Sequence, residues 1–525
     1  MTCYTFPILG ELAKALFDYS GLLALKDVDD DYPVDERTKK TIQTKIRRLA
    51  AESSQLEDNL DEVLSLFIHL LMEYFEDDKL ITLAGNTITD FYLQYKDLVR
   101  EDGACIPKKE VIKWLLCSKI PTRLSTSIHK YSLMYWMRQF SRQLPSAADW
   151  WLPRITSDEI VWPLTLAFDW FYEGFELPQT HIHNPLYGDK EKEDDRLKQD
   201  LQNSIRWRTG RGLPSWGGLV QNIKTVIEHH PFDSPVNKFS SEDSEVILAV
   251  FFVARFSTAV FKDIQKHFGN DFLRDVLRFT RKQDYRLKKL HAGFEDKILR
   301  VLSRNALGFH PSDLDVFYAS ATEQLWDEYR NEIMMGWQLN YDASIESLTR
   351  SNIRSLCSDI GSVTLAAYYA EYKHNVAQFY PPDFLRLFHD GLELKDKQCE
   401  VEELQLFKED LVRCNLDDRL AWLSDWSFAV YHYRRDEHQT AYKYFKSAFN
   451  SAKYAAGRSQ YLLVNQYIES CAKNDDLKGF KKGIGWANYL GVEVRWYRGF
   501  EYLESHEEKV RATFETMKRA NYLIL

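Results

Sequence analysis

Apolar residues recur at three- and four-residue intervals through most of the chain, which is the period of an amphipathic helix. Leu60, Val63, Leu64, Phe67, Leu71 and Tyr74 form one apolar helix face, and Glu57, Asp58 and Asp61 place negative charge near its start, where the helix dipole favours it. A second helix opens at Ser244 and runs through the most apolar stretch, Val246 to Phe261. It ends at Gly269, since glycine readily takes the backbone angles that close a helix. That stretch is shorter than the ~18 residues of a membrane span and Arg255 interrupts it, so it reads as a buried core helix. Beyond Gly269 the pattern has two sides. Leu273, Leu277, Leu287, Leu290 and Phe294 lie on one, while Arg274, Arg278, Arg281, Lys282, Arg286 and Lys289 fall near the other with Tyr285 among them. The region from about 244 to 380 predicts three or four long helices, with a start at Pro311 and a break at Pro381-Pro382. Residues from about 400 onward read as antiparallel helix pairs with short connections.

Composition points the same way. The 22 Gly and 15 Pro among 525 residues fall well below the ~12% of average usage, which disfavours a turn-rich β-sandwich or barrel. With 31 Phe, 29 Tyr and 14 Trp the chain can fill several cores, which excludes global disorder. The expected fold class is all-α, a multi-unit helical protein with a stack of antiparallel helix pairs at its C-terminal end. Its expected units are 1–104, 105–240, 241–385 and 386–525. Seven scattered cysteines without a Cys-x-x-Cys pair read as reduced thiols, and the first residues lack a basic region and carry Glu11. A cytoplasmic protein with no membrane contact is therefore the expectation.

Eight of the 14 tryptophans fall between about 105 and 235, and three of them begin a recurring joint. Trp114 leads to Ile120-Pro121-Thr122, Trp136 to Leu144-Pro145-Ser146, and Trp207 to Leu213-Pro214-Ser215. Each reads as a helix carrying a large aromatic and halted before proline, with a hydroxyl left to cap the next helix. The cluster from Asp149 to Trp170 pairs its tryptophans with Leu, Ile and Val, the composition of a core more than of a base-stacking surface.

Two stretches resemble known families. Phe428-Ala429, then Ala441, Phe445 and Ala448, with a second copy at Phe480, Ile484 and Ala487, resemble tetratricopeptide repeats. Trp426 stands one residue from the family's tryptophan position, and His432 occupies the tyrosine position. This resemblance implies a platform that binds a protein partner and has no chemistry of its own. The run Trp207-Arg208-Thr209-Gly210-Arg211-Gly212-Leu213-Pro214 is similar to the end of the reading helix in phage-repressor-type helix-turn-helix domains. That likeness implies phosphate contacts from Arg206, Arg208 and Arg211, although DDRLKQDLQNS before it lacks the Ala and tight Gly turn of such domains. The C-terminal half is also similar in character to bacterial proteins of mobile-element or phage-defence loci.

Chemistry is sparse. Phosphate-loop, dinucleotide, Gly-x-Ser-x-Gly and His-Glu-x-x-His motifs are absent from the sequence, so no cofactor is expected. Arg286-x4-His291 has the spacing of HEPN-type ribonucleases, which makes Arg286 and His291 the candidate catalytic pair, although Leu287 stands where that family has a polar residue. His181, His183, His229 and His230 flank an acidic insert but lack ligand spacing, and no metal site is expected. Net charge is −10, unlike a dedicated nucleic-acid binder. The leading expectation is a non-enzymatic scaffold or adaptor that holds a protein partner on its C-terminal helix pairs, in a defence or mobile-element setting. The alternatives are DNA or RNA binding through the 274–289 stripe (Arg274, Arg278, Arg281, Lys282, Arg286, Lys289) together with Arg206, Arg208 and Arg211, and a metal-independent ribonuclease.

Overall fold

The computed structural model describes residues 8–23, 36–51, 56–76, 78–97, 99–100, 145, 149–156, 159–174, 202–203, 205–229, 241–304, 383–495, 497, 503 and 506–520. Helix accounts for 81% of them, and the only strand pairing among them is two residues long, so the described part of the chain is all-α. Two of the three tryptophan-to-proline joints, the acidic insert and the expected helices beyond Arg304 up to Pro382 lie outside the described residues, apart from Pro145.

Four helices open the chain: α1 (Leu9–Ser20), α2 (Glu36–Ala50), α3 (Leu56–Met72) and α4 (Asp78–Asp97). The face expected on α3 is the buried one, with Leu60, Val63, Phe67, Leu71 and Tyr74 all in the core. A short hairpin follows, β1 (Arg154–Ile155) against β2 (Ile160–Val161), and then α5 (Pro163–Gly174) and α6 (Trp216–His229). Next comes α7 (Ser241–Arg304), which breaks at Gly269, where φ is 83° and ψ 174°. The helix that opens near Ser244 therefore stops at the glycine that the sequence marks.

The apolar first half of α7 is the axis of this part. It packs against α1, α5 and α6, so helices from both sides of the expected borders near 105 and 240 share one core. Phe251 meets the edges of Phe168 and Phe171, and Phe252 meets Trp216, which stacks on Phe75. Thr258 accepts the Leu164 amide at 2.9 Å and so satisfies one of the open donors at the start of α5. Length and composition would let the stretch from Ser244 to Arg278 cross a membrane, yet 67% of its most apolar window is buried inside the molecule.

Arg255 lies inside that core, only 5% exposed. Its Nε donates to the Pro214 carbonyl at 2.7 Å and its Nη1 to the Tyr19 carbonyl at 2.5 Å. Gly21 ends α1 with φ 69°, a left-handed angle, and a Cβ there would sit 2.1 Å from Nη2 of Arg255. The Gly21 carbonyl accepts the Trp216 amide at 2.9 Å, so the end of α1, the start of α6 and the middle of α7 meet at this residue.

The C-terminal part contains α8 (Phe384–Asp396), α9 (Val401–Arg413), α10 (Asp417–Arg434), α11 (His438–Ala452), α12 (Gln460–Lys473), α13 (Leu477–Leu490) and α14 (Glu507–Arg519). Helices α9 to α13 each pack on the next in the chain, as antiparallel pairs with short turns do. Three turns are built alike. Asn415, Asp436 and Asp475 take φ of 55°, 62° and 60°, and each is preceded two residues earlier by Arg or Lys. In each, the next amide reaches back five residues, as Leu416 does to Leu411 at 2.8 Å, Glu437 to His432 at 3.0 Å and Asp476 to Cys471 at 2.9 Å. This is the Schellman stop, with Asn or Asp in the glycine place.

Helix α12 is buried on nearly every side from Leu463 to Ala472, including its polar residues. Two glutamines make that burial tolerable. Gln466 accepts the Trp426 indole at 2.6 Å, and Gln460 accepts the Trp486 indole at 3.0 Å. Gln460 also donates to the Val99 carbonyl at 2.9 Å, and α13 packs on α3, which ties the C-terminal part to the N-terminal one.

Two outcomes follow from these ties. Gly21→Ala should lower the unfolding free energy by about 2 kcal/mol or more, from the left-handed angle plus the clash with Arg255. Combined with Arg255→Ala it should cost less than the sum of the single changes in urea titrations, because the group struck by the new methyl is gone; additive losses would refute this. Asp476 supplies the second test. Burial alone would raise its carboxyl, but the Tyr442 hydroxyl, the Gly479 amide and Lys446 hold it below the usual carboxylate range. A depressed folded pKa contributes stability above the unfolded value and loses it as pH falls through the folded one. Asp476→Asn should therefore be less stable than the native chain at pH 7, and urea titrations should show the gap closing on acidification below about pH 4.

Candidate nucleic-acid interface

After the break at Gly269, α7 runs past the β1–β2 hairpin and the two enclose an open groove of about 580 Å³. Ile155, Thr156, Arg274, Leu277, Arg278 and Arg281 line it. Three arginines expected to face a nucleic acid are thus brought together, but each has an acid beside it. Arg274 pairs with Asp271 at 3.5 Å and Arg278 with Asp275 at 2.6 Å, both within one helical turn. Arg281 reaches Asp149 at 3.0 Å and donates to the Pro153 carbonyl at 2.5 Å, which fastens the hairpin to the helix. The local field is close to neutral, and the groove is no ready-made phosphate track. Lys282, Arg286, Lys289 and His291 belong to α7, but their side chains lie outside the described residues. The Arg286–His291 pair therefore has no described geometry.

The Trp207–Pro214 joint turns its defining groups inward. Gly210 has φ 66° and lies against the Trp162 ring, and Pro214 is buried with its carbonyl on Arg255. Arg208 is drawn to α5, where its Nη2 and Nε hold Asp169 at 2.7 and 3.0 Å and its backbone carbonyl accepts from Thr165. Ser215 accepts the Gly218 amide at 3.3 Å, the capping bond expected of the residue after the proline. Arg206 and Arg211 are exposed. Trp150, Trp151 and Trp162 are buried, as the composition around them implies.

The sequence reading did not single out the face of α2 that carries Arg37, Lys40, Thr41, Thr44, Lys45 and Arg48. Ile42 and Leu49 bury the opposite side of this helix, and Lys45 pairs with Glu62 of α3. Six cations against one acid give residues 36–50 a net charge of +5 in a chain of −10. The signal was present in the run ERTKKTIQTKIRRLA, where Ile42, Ile46 and Leu49 leave a basic face toward solvent, but no motif drew attention to it.

Groups with reactive chemistry are committed elsewhere. Cys471 is fully buried, and burial pushes its thiol up, away from the nucleophilic thiolate. The Tyr19 hydroxyl is likewise held protonated by burial and by its 2.7 Å bond to Asp263. Among the described residues no three His, Cys, Asp or Glu side chains are placed to hold a metal ion. No protein-family model matches this chain, and neither does any curated protein or solved structure.

The two kinds of arginine on α7 should separate in stability. Arg281→Ala removes two links between the helix and the hairpin and should cost about 1–2 kcal/mol. Arg278→Ala, 83% exposed, should stay within about 0.5 kcal/mol of the native chain in urea titrations. Equal losses would mean that the stripe is not divided in this way.

Proposed function

We propose that the chain is a non-enzymatic α-helical scaffold that holds a protein partner on its C-terminal, tetratricopeptide-like stack. The observation that carries this reading is the recurring helix pair. Phe428, Ala429, Ala441, Phe445, Ala448, Phe480, Ile484 and Ala487, the residues of the resemblance, all lie in the core, and the same Schellman stop ends α9, α10 and α12. Small residues beside large ones are what let such helices approach closely, and repeated stops are what stack successive pairs.

The partner surface differs from that of an open repeat array. Helices α10 and α12 are buried almost all round, so the inner face that such arrays leave free is covered. The free apolar area falls on α9 instead, where Leu406 and Val412 are 59% and 56% exposed. A rigid platform that presents apolar side chains amid Glu402, Glu403 and Glu409 suits a partner with a mixed apolar and basic face.

Cross-linking in the cells that make the protein tests this reading. The full chain should yield a partner joined to residues of α9, and Leu406→Glu with Val412→Glu should abolish that link while leaving the circular-dichroism melt unchanged. The same cross-links from both proteins, or none from either, would reject the scaffold.

A further inference from the structure

Two lysines that stand over aromatic rings have a carboxylate at hand. Lys395 lies 4.4 Å from the Trp426 centroid with Asp396 at 2.6 Å, and Lys446 lies over Tyr442 with Asp476 at 3.7 Å. Lys262 of α7 differs. Its ammonium stands 5.5 Å from the centroid of Trp162, and no carboxylate among the described residues pairs with it. The acids of the surrounding elements are engaged elsewhere or face solvent. Asp263, the next residue, holds the Tyr19 hydroxyl at 2.7 Å and His267 at 3.1 Å. Asp169 of α5 is held by Arg208, and Asp18 of α1 faces Lys14, Asp263 and Arg255. Glu159, in the hairpin turn, is exposed. The backbone adds to this setting. Thr258, one turn earlier on α7, accepts the Leu164 amide at 2.9 Å, so this side of α7 lies against the first turn of α5. Trp162 is the residue before that helix. A cation there meets the positive end of the helix dipole, which favours the neutral amine. Burial acts in the same direction and holds the Lys262 ammonium below the usual lysine range. The residue is only partly buried, which leaves room for a small reagent to reach it.

We propose that Lys262 is a modification site, a nucleophilic amine that takes the acyl group of small acyl phosphates. A lysine reacts through its unprotonated form, and one packed on an apolar ring without an acid beside it is the kind that reacts at neutral pH. The lone pair of the neutral Nζ forms a bond to the acyl carbon. The bond from that carbon to the phosphate oxygen breaks, phosphate leaves with the electron pair, and the surplus proton on Nζ passes to water. The product is a neutral amide. It takes a positive charge away from the start of α5 and ends the contact between that charge and the Trp162 ring. The modification therefore acts where β2, α5 and α7 meet, and it has no part in the partner surface proposed on α9.

Limited acetylation of the full chain with acetyl phosphate, read out by peptide mass spectrometry, provides the test. Lys266, exposed one turn further along α7, and Lys443, exposed on α11, serve as references. At pH 7 Lys262 should be acetylated at least about threefold faster than either. Each rate should rise about tenfold per pH unit while its amine is protonated, and the rate at Lys262 should level off at a lower pH than the rate at Lys266. In a denaturing concentration of urea the three lysines should react at rates within about twofold of one another, because their surroundings are then alike. Equal or slower acetylation of Lys262 in the folded chain, levelling at the same pH as Lys266, or the same preference after unfolding would each overturn the proposal.

Discussion

A guanidinium deep in an apolar core must find acceptors or the fold does not form, and Arg255 organises the N-terminal part around that requirement. Its two carbonyl partners belong to the last turn of α1 and to the loop before α6, so one side chain of α7 joins both segments. Gly21 is glycine because the guanidinium fills the space of a side chain and because α1 must turn away in a left-handed conformation. Once those three segments are joined, Trp216 is set between Phe75 and Phe252, and Pro214 brings the preceding arginines to their positions. The placement of Arg208 on Asp169, where both side chains are partly buried, follows from this chain of contacts.

The C-terminal stack uses neutral polar groups for a similar purpose. Two tryptophans are buried at 1% exposure, each with its indole N–H directed into α12, and each is answered by a glutamine oxygen. Hydrogen bonds of this kind add little net stability, but a buried donor left unpaired is expensive, so they fix which helix neighbours which.

Local periodicity carries far in this sequence. The buried face of α3, the stop at Gly269, the cap from Ser215 and the buried aromatics from Trp150 to Trp162 could all be read from spacing, because each depends on residues within a turn or two. The β1–β2 hairpin could not, since two-residue strands are shorter than any period. Nor could the pairing of Arg281 with Asp149, which is 132 residues away, or of Arg255 with Tyr19, 236 residues away. The α2 face escaped for another reason. Periodicity identifies the side of a helix that turns inward, and charge on the other side is so common on solvated helices that it points to no particular partner.

The two bonds that Gln460 makes have an evolutionary consequence. Arrays of stacked helix pairs usually gain or lose units freely, because each unit sees only copies of itself on either side. Here α12 contacts unlike neighbours, with the indole of Trp486 on one side and the backbone at Val99, 361 residues earlier in the chain, on the other. Deleting the α12–α13 pair would leave the buried Trp426 indole without Gln466 and the Val99 carbonyl without Gln460, and the Gln460 of a duplicated pair would have no second Val99 to meet. The stack is therefore locked at its present number of pairs, and lineages of this protein should vary in surface residues and loop lengths but not in repeat count.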